Sequence, residues 1–244
     1  MWYNRQKSVE GREIGMNRAI KYLLNLVIAI MCVVVIISLA VSITVLFRPL
    51  YYFDIDNLEI CETSGFSREE SLTNYDALID YNLIGGPDKL VFPSLDMSEE
   101  GEIHFKEVKD IFIPMQWFSI VGIPLIILGI VWEFRQRKKA VKESNGGIKK
   151  GTDCAGKWMR LVAVVAIGVV AVVLAAIVID WQWAFETMHS IFFDNDYWIF
   201  NPITDPVIRI LPDTFFMHCG ILIIAITTAL VIVMTVLYRK FKRI

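Results

Sequence analysis

The sequence contains few of the residues that most often bind transition metals: four cysteines and three histidines among 244 residues. It has no CxxC pair, no HExxH segment and no glycine-rich phosphate loop. Cys61 and Cys219 fall near the same predicted side of a membrane and could pair, although two isolated cysteines do not define a disulfide framework. We therefore predict no metal site and no cofactor.

Charge is nearly absent from four long stretches, which approximately cover residues 20–47, 111–134, 161–179 and 216–238. Crossing a hydrocarbon core of about 30 Å takes around 20 apolar residues, so each stretch can span a membrane. The first stretch is too long for a signal peptide, and no small-residue cleavage site follows it. With a mean hydropathy of +0.52, the chain is predicted to be an all-α integral membrane protein with four transmembrane helices. Ionisable residues are missing from the middle of the stretches, which disfavours a transporter or channel.

Lysine and arginine are unevenly distributed among the segments that connect the apolar stretches. They concentrate in residues 1–19, 135–160 and 239–244, whereas residues 48–110 and 180–215 are acidic. Because basic loops stay in the cytoplasm, both termini and the middle loop are predicted to be cytoplasmic, and the two acidic segments to form a small outer cap. The basic loop lacks interleaved aromatic residues, so it is better interpreted as a membrane anchor than as a nucleic-acid site.

The first acidic segment, residues 48–110, carries two helix start signals. Ser67 begins a capping box, which predicts a helix running towards Tyr81. Ser98 is a candidate N-cap with acidic residues in the following turn, and this helix should continue into the second span. His104 then lies about two turns, roughly 10 Å, before the span begins. That position corresponds to the lipid head groups.

The second acidic segment, residues 180–215, is rich in aromatic side chains. Its first part, WQWAFETMHSIFF, is predicted to continue the third span and to form an aromatic belt at the membrane interface. His189 shares a helical face there with Phe185 and Phe193. Asp205, followed by proline, is predicted to cap a short helix.

The three histidines need separate interpretations. A single interfacial histidine is more often solvated or a helix cap than a catalytic residue. His104 and His189, however, are expected at the same depth on two different spans, so in a four-helix bundle they can face each other. His218 lies inside the fourth span, and we predict a structural hydrogen bond for it.

The segments FETMHSIFFDNDYWIFNPITDPVIRILPDTFF and EIHFKEVKDIF, together with NYDALIDY, carry a specific combination of motifs. F-x3-H-x2-FF, W-x-FNP-x2-D and LP-x2-FF follow one another in this order. In these motifs the chain resembles the bacterial lipoprotein intramolecular transacylases. The N-terminus, the basic loop and the spans resemble the family only in their general composition and carry no specific motif.

The resemblance implies an acyltransferase acting on a lipoprotein whose N-terminal cysteine carries a diacylglyceryl thioether. The sn-2 acyl chain would move to the α-amino group of the same cysteine, at the outer leaflet of the bacterial cell membrane, in contact with membrane lipids. The implied catalytic residues are His104 and His189. The implied substrate-binding residues are Tyr75, Lys109, Phe193, Trp198, Asn201 and Asp205.

The neighbours of each histidine predict how the two would divide the chemistry. Glu102, Lys106 and Lys109 surround His104 with a polar strip that can pass on a proton, which favours His104 as the base. His189 lies among phenylalanines, an environment suited to donating a hydrogen bond.

Two alternatives remain open from the sequence. A non-catalytic four-span interaction protein would explain the acidic loops and the aromatic belt, but not the paired histidines. A phospholipid-directed acyltransferase or a lipase would need the same depth and the same acid–base groups. The lipase motif GxSxG is absent.

Overall fold

The structure is a computed structural model that describes residues 2–143 and 156–243, with side chains from residue 19 onward. Residues 144–155, which belong to the predicted cytoplasmic loop 135–160, lie outside the described residues. Within the described ranges all regular secondary structure is helical. In chain order the helices are α1 (Trp2–Leu46), α2 (Pro49–Asn57), α3 (Ile60–Ser64), α4 (Arg68–Tyr81), α5 (Glu99–Glu143), α6 (Lys157–Ile179), α7 (Trp181–Phe192), α8 (Val207–Ile210) and α9 (Asp213–Arg243).

Four of these helices are long and apolar enough to cross a membrane. They are the Ala19–Leu46 part of α1 together with α5, α6 and α9. Valine, isoleucine and leucine fill their central turns. Only 11%, 11% and 17% of the most apolar windows of α5, α6 and α9 are buried, against 44% in α1, and such outward-facing apolar side chains are expected of helices whose solvent is lipid. The predicted fold class, an all-α integral membrane protein with four transmembrane helices, is confirmed.

The described residues form two compact units. One comprises those within Met1–Val34, Gly122–Val169 and Thr228–Ile244. It is organised around Phe241, which is buried, packs edge-on against Phe134 at 5.3 Å and lies under the Arg137 guanidinium. Gly156 has a φ of +72° and directly faces the Phe241 ring, so no larger side chain fits there.

The other unit, Val35–Val121 and Val170–Thr227, contains both predicted outer segments. Its core is centred on Tyr51 and Tyr75, whose rings stack at 3.9 Å, with Phe215 packed edge-on against both. The Tyr51 hydroxyl donates a hydrogen bond to the carbonyl of Ile210 at 2.9 Å. Residues of the two predicted loops therefore share one hydrophobic core.

The two predicted helix starts in residues 48–110 are confirmed. The Ser67 hydroxyl accepts a hydrogen bond from the Glu70 amide, and the Glu70 carboxylate accepts one from the Ser67 amide. The Ser98 hydroxyl accepts from the Gly101 amide at 2.9 Å, and α5 continues without a break into the second span. Both signals are local, which explains why the sequence reveals them.

Two predictions for residues 180–215 were wrong. The third span does not continue as one helix, because Asp180 adopts an extended conformation (φ −160°, ψ 106°) and its carboxylate caps a new helix, α7, at the Trp183 amide. Asp205 does not cap the short helix α8, whose N-cap is Pro206 without a side-chain hydrogen bond. The Asp205 carboxylate instead binds the start of α5.

Candidate active site

His104 and His189 lie next to each other although 85 positions separate them in the sequence. His104 is in the second turn of α5, and His189 is near the end of α7, which the break at Asp180 sets apart from α6. The ring centroids are 6.1 Å apart with 35° between the ring planes, and the residues are 5% and 8% exposed. Two titratable rings are thus buried together.

Four aromatic side chains surround the two histidines, and we call them the aromatic cage: Phe185, Phe193, Trp198 and Phe200. Phe193 contacts both rings, with centroids 4.8 Å from His104 and 5.7 Å from His189. Trp198 stacks on His189 at 4.6 Å, and Phe200 meets His104 edge-on at 5.4 Å. Apolar rings in these positions reduce the access of water to the imidazoles.

His189 is fixed by a hydrogen bond within its own helix. Its Nδ1 lies 2.8 Å from the carbonyl oxygen of Phe185. A carbonyl can only accept, so Nδ1 carries the proton and Nε2 of the neutral ring keeps its lone pair. Burial lowers the pKa of His189 below its usual value, and the bond to the Phe185 carbonyl partly opposes this effect. The ring is therefore neutral and basic at Nε2 near neutral pH.

His104 has a different polar environment. Its Nδ1 is buried and has no hydrogen-bond partner in the described part of the chain. The polar strip predicted around it is engaged elsewhere, because Glu102 pairs with Lys89 at 2.8 Å and Lys106 pairs with Asp110 at 2.6 Å. The strip therefore gives His104 no visible route for passing on a proton.

Asn201 and Asp205, two of the six predicted binding residues, stabilise the loop that follows the cage residue Phe200. The Asn201 side chain accepts a hydrogen bond from the Ile203 amide at 3.0 Å, and its carbonyl accepts one from the Asp205 amide at 2.8 Å. The Asp205 carboxylate is buried and accepts from the Ser98 amide and the Thr204 hydroxyl, each at 2.8 Å. Both side chains already have protein partners.

A surface depression of about 270 Å³ lies beside this loop. Asn201 and Asp205 help to line it, and neither histidine does. Phe200 lines the depression and also contacts His104, so this cage residue lies between the depression and His104.

Two further residues of the predicted binding set, Lys109 and Tyr75, contact parts of the protein other than the histidines. The Lys109 ammonium donates a hydrogen bond to the carbonyl of Pro87 at 2.6 Å and lies over the ring of Tyr81. Tyr75 is 3% exposed and stacks on Tyr51 in the core. The structure therefore groups Phe193 and Trp198 with the histidines, and places Lys109 and Tyr75 in other contacts.

One polar pair, formed by a residue one helical turn after His104, was missed from the sequence. Asn195 donates a hydrogen bond to Glu107 Oε1 at 2.8 Å, and Glu107 Oε2 is buried without a partner in the described part of the chain. Glu107 follows His104 by three residues, a spacing that places both on one helix face. That spacing was the available signal, but Asn195 could not have been paired with Glu107 from sequence.

His218 makes the structural hydrogen bond predicted for it. Its Nδ1 lies 2.8 Å from Oδ2 of Asp54, a carboxylate that is completely buried. The adjacent Cys219 and the more distant Cys61 are both free thiols, so the pairing considered for them is not formed. The hydrogen bond between His218 and Asp54 therefore connects α9 to α2.

The segment HSIFFD, residues 189–194, also matches the H-x4-D spacing of an acyltransferase motif. Such spacing would suggest that Asp194 orients the histidine. In the structure, however, Nδ1 of His189 is bound to the carbonyl of Phe185, and Asp194 is exposed. The orienting position is therefore taken by the backbone.

Comparisons with known proteins agree on one family. The family "Lipoprotein intramolecular transacylase Lit" matches residues 26–216. The in meso structure of the membrane integral lipoprotein intramolecular transacylase Lit from Bacillus cereus superposes with a TM-score of 0.77 at 29% identity, covering 92% of this chain and 97% of that one. Two variants of that protein, with a histidine replaced by arginine or by alanine, give TM-scores of 0.73 at 29% and 28% identity. The coverage is 96% and 95% of this chain and 97% of theirs. A comparison with curated proteins found no match.

The family match covers both histidines and every residue of the aromatic cage. The family consists of acyltransferases that act on lipoproteins, which rules out the non-catalytic alternative. The chain belongs to the lipoprotein intramolecular transacylase family, Lit, and is an integral membrane acyltransferase.

Proposed function

We propose that this protein moves the sn-2 acyl chain of a diacylglyceryl-modified lipoprotein to the α-amino group of the same N-terminal cysteine. The product is an N-acyl, S-monoacylglyceryl lipoprotein, the lyso-form. The observation that carries this proposal is the buried pair of His104 and His189, 6.1 Å apart inside the aromatic cage. Membership of the family supplies the substrate class.

The reaction needs a base, because the α-ammonium group has a pKa of about 7.7–8.0 and must lose a proton before it can attack. We assign this step to His189. Its Nδ1–H is held by the Phe185 carbonyl, so Nε2 is available to take the proton. The contacts thus favour the reverse of the division of roles that the sequence neighbours suggest.

The amine then attacks the sn-2 ester carbonyl and forms a tetrahedral oxyanion. Collapse of this intermediate breaks the bond between the acyl carbon and the glycerol oxygen, which leaves as an alkoxide and takes up a proton. We assign to His104 the hydrogen-bond donor that stabilises the oxyanion, because its Nδ1 has no partner in the described part of the chain. The nitrogen loses two protons on becoming an amide: His189 passes one to the departing glycerol oxygen, and the other is released to water. No metal or cofactor takes part.

Intramolecular transfer simplifies what the protein must supply. Because the amine and the ester belong to one molecule, holding them in contact replaces an encounter between two substrates. Phe193 and Trp198 pack against the histidines and would contact the acyl chains, while Asn201 and Asp205 would act by shaping the loop. The positions of Lys109 and Tyr75 support a structural role more than direct binding.

We infer that the site faces the outer leaflet of the bacterial cell membrane and that both termini are cytoplasmic. The support is the concentration of basic residues in residues 1–19, 135–160 and 239–244. At head-group depth the histidines would meet the ester carbonyls of an anchored lipoprotein. Membrane lipids would surround the site, and nucleic acid has no part in it.

Mass spectrometry of lipoprotein N-termini tests this function. We expect that expression of this protein in a host that makes diacylglyceryl lipoproteins converts them to N-acyl, S-monoacylglyceryl forms without changing the total number of acyl chains. A His104→Ala, His189→Ala double variant at equal membrane abundance should leave the diacylglyceryl form. Unchanged lipoproteins in cells with abundant wild-type protein would contradict the proposal.

A further inference from the structure

Glu107 is a half-buried residue, and one of its two carboxylate oxygens has an unfilled hydrogen-bond position. Asn195 binds its Oε1 at 2.8 Å, while its Oε2 is buried and has no hydrogen-bond partner in the described part of the chain. The neighbouring Lys106 does not fill that position, because its ammonium binds Asp110. A buried carboxylate oxygen without a partner is costly, so a hydrogen-bond donor, from water or from a ligand, is expected at this position.

The position of Glu107 relates it to the histidines. Glu107 follows His104 by three residues on α5, so the two Cβ atoms are about 5–6 Å apart on one face. Asn195 follows Phe193 by two residues, and the Phe193 ring contacts both histidines. The segment 193–195 therefore both covers His104, through Phe193, and holds Glu107, through Asn195. Since Phe193 also contacts His189, this segment links the Glu107 carboxylate to both histidines.

The substrate brings one group that matches this position. The N-terminal cysteine carries an α-ammonium with three N–H donors and a positive charge, and this group must reach His189. We propose that Glu107 Oε2 binds the α-ammonium of the N-terminal cysteine and holds it at the histidine pair. The inference deepens the proposed function and rests on it, and it assigns Glu107 to substrate binding with Asn195 as the positioning residue.

The physical chemistry of the pair predicts which kinetic quantity Glu107 controls. A nearby carboxylate favours the charged form of an amine, so Glu107 assists capture and orientation rather than deprotonation. Its removal should therefore raise KM more than it lowers kcat. One charge-assisted hydrogen bond in a buried setting corresponds to roughly a tenfold to hundredfold change in affinity.

A matched pair of ligands tests the inference. Both are diacylglyceryl-cysteinyl peptides in which an ether replaces the sn-2 ester, so that no transfer occurs; one has a free α-amine and the other is N-acetylated. In detergent micelles the wild type should bind the free amine roughly ten to a hundred times more tightly. This preference should decline as pH rises through about 7.7–8.0, where the amine loses its charge.

Glu107→Gln keeps the shape of the side chain and removes its charge. It should abolish the preference for the free amine while binding the N-acetylated ligand as the wild type does, which also shows that the variant is folded. Asp110→Asn, one turn further along the same helix at an exposed ion pair, is the control and should keep the preference. If Glu107→Gln fails to accumulate, Asn195→Ala should reduce the preference instead.

The inference is overturned if Glu107→Gln retains the full preference for the free-amine ligand, or if Asn195→Ala does so when Glu107→Gln does not accumulate. It is equally overturned if Glu107→Gln lowers only kcat of acyl transfer and leaves KM unchanged. It is also overturned if the wild type transfers acyl chains on the ester substrate yet shows no preference between the ether ligands; water would then fill the position. If the wild type transfers nothing, the proposed function itself fails, so the two failures are distinguishable.

Discussion

The two histidines inside the aromatic cage differ in one hydrogen bond, and on that difference we base the separate roles proposed for them. His189 donates from Nδ1 to a backbone carbonyl, whereas Nδ1 of His104 is buried without a partner. Loss of a general base costs about 10²–10⁴-fold in rate, and loss of one oxyanion donor about 10²–10³-fold. We therefore expect His189→Ala and His104→Ala both to reduce transfer by at least about 10²-fold.

Glutamine variants separate the roles, because glutamine keeps a donor but is not a base. His104→Gln should retain more transfer activity than His189→Gln, measured on a synthetic diacylglyceryl peptide with protein levels matched. Asp194→Asn is the control, since Asp194 is exposed and does not hold His189 Nδ1, and it should remain close to wild type. The opposite order of the glutamine variants would make His104 the base.

Burial of His189 also predicts how activity depends on pH. Its pKa is lowered, so the neutral ring is the main form at pH 7 and becomes protonated only as the pH falls below the usual value of about 6.5. The acidic limb of kcat should therefore lie below pH 6.5. Trp198→Ala, which opens one face of the ring to water, should move that limb upward. A wild-type limb above pH 6.5 would show that another group is being titrated.

At the scale of elements, the start of α5 determines where His104 sits. The Asp205 carboxylate binds the Ser98 amide, and Gly101 leaves the space it needs: a Cβ there would lie 2.3 Å from Asp205 Oδ1. Gly101→Ala should destabilise the protein by about 1–3 kcal/mol through this overlap, seen as a lower Tm in detergent. Gly168→Ala in α6 is the control, because its Cβ meets nothing within 4 Å. It should be neutral or slightly stabilising.

A double variant checks the cause. Shortening Asp205 to alanine removes the atom that the new methyl group would strike, so Gly101→Ala combined with Asp205→Ala should be less destabilised than the sum of the single variants. Strict additivity would mean that the two side chains do not meet.

Elements whose signals are local could be predicted from the sequence, and those set by distant partners could not. The capping box of α4 and the N-cap of α5 involve residues three positions apart, and both predictions were confirmed. The break at Asp180 interrupts a continuous apolar and aromatic run whose composition suits an unbroken helix. Asp205 binds an amide 107 positions away, so its adjacent proline misleadingly suggested a local cap.

The same distinction applies to the candidate site. The pairing of His104 with His189 follows from depth and helical face, which the sequence encodes. Lys109 and Tyr75 were named from the motif, but their side-chain directions depend on how α4 and α5 pack. Glu107 was missed because its partner, Asn195, lies in a turn whose position only the folded unit reveals.

At the scale of the whole molecule, the distribution of charge predicts the topology. In a variant without native cysteines, single cysteines at Asp88 and Arg239, both exposed, report on the two sides. An impermeant maleimide should label Asp88→Cys in intact protoplasts and Arg239→Cys only after lysis. Labelling of Arg239→Cys in intact protoplasts would reverse the orientation and place the histidines on the cytoplasmic side.

The most direct test of the central claim is a crossover experiment with purified protein. Two diacylglyceryl lipopeptides of different mass are mixed, one with an isotopically labelled sn-2 chain and one without, and the N-acylated products are analysed by mass spectrometry. Intramolecular transfer at the histidine pair predicts that each peptide keeps its own chain, that no fatty acid is released, and that His189→Ala forms product at least about 10²-fold more slowly. Labelled chains on the unlabelled peptide, or free fatty acid in place of N-acylation, would contradict the account.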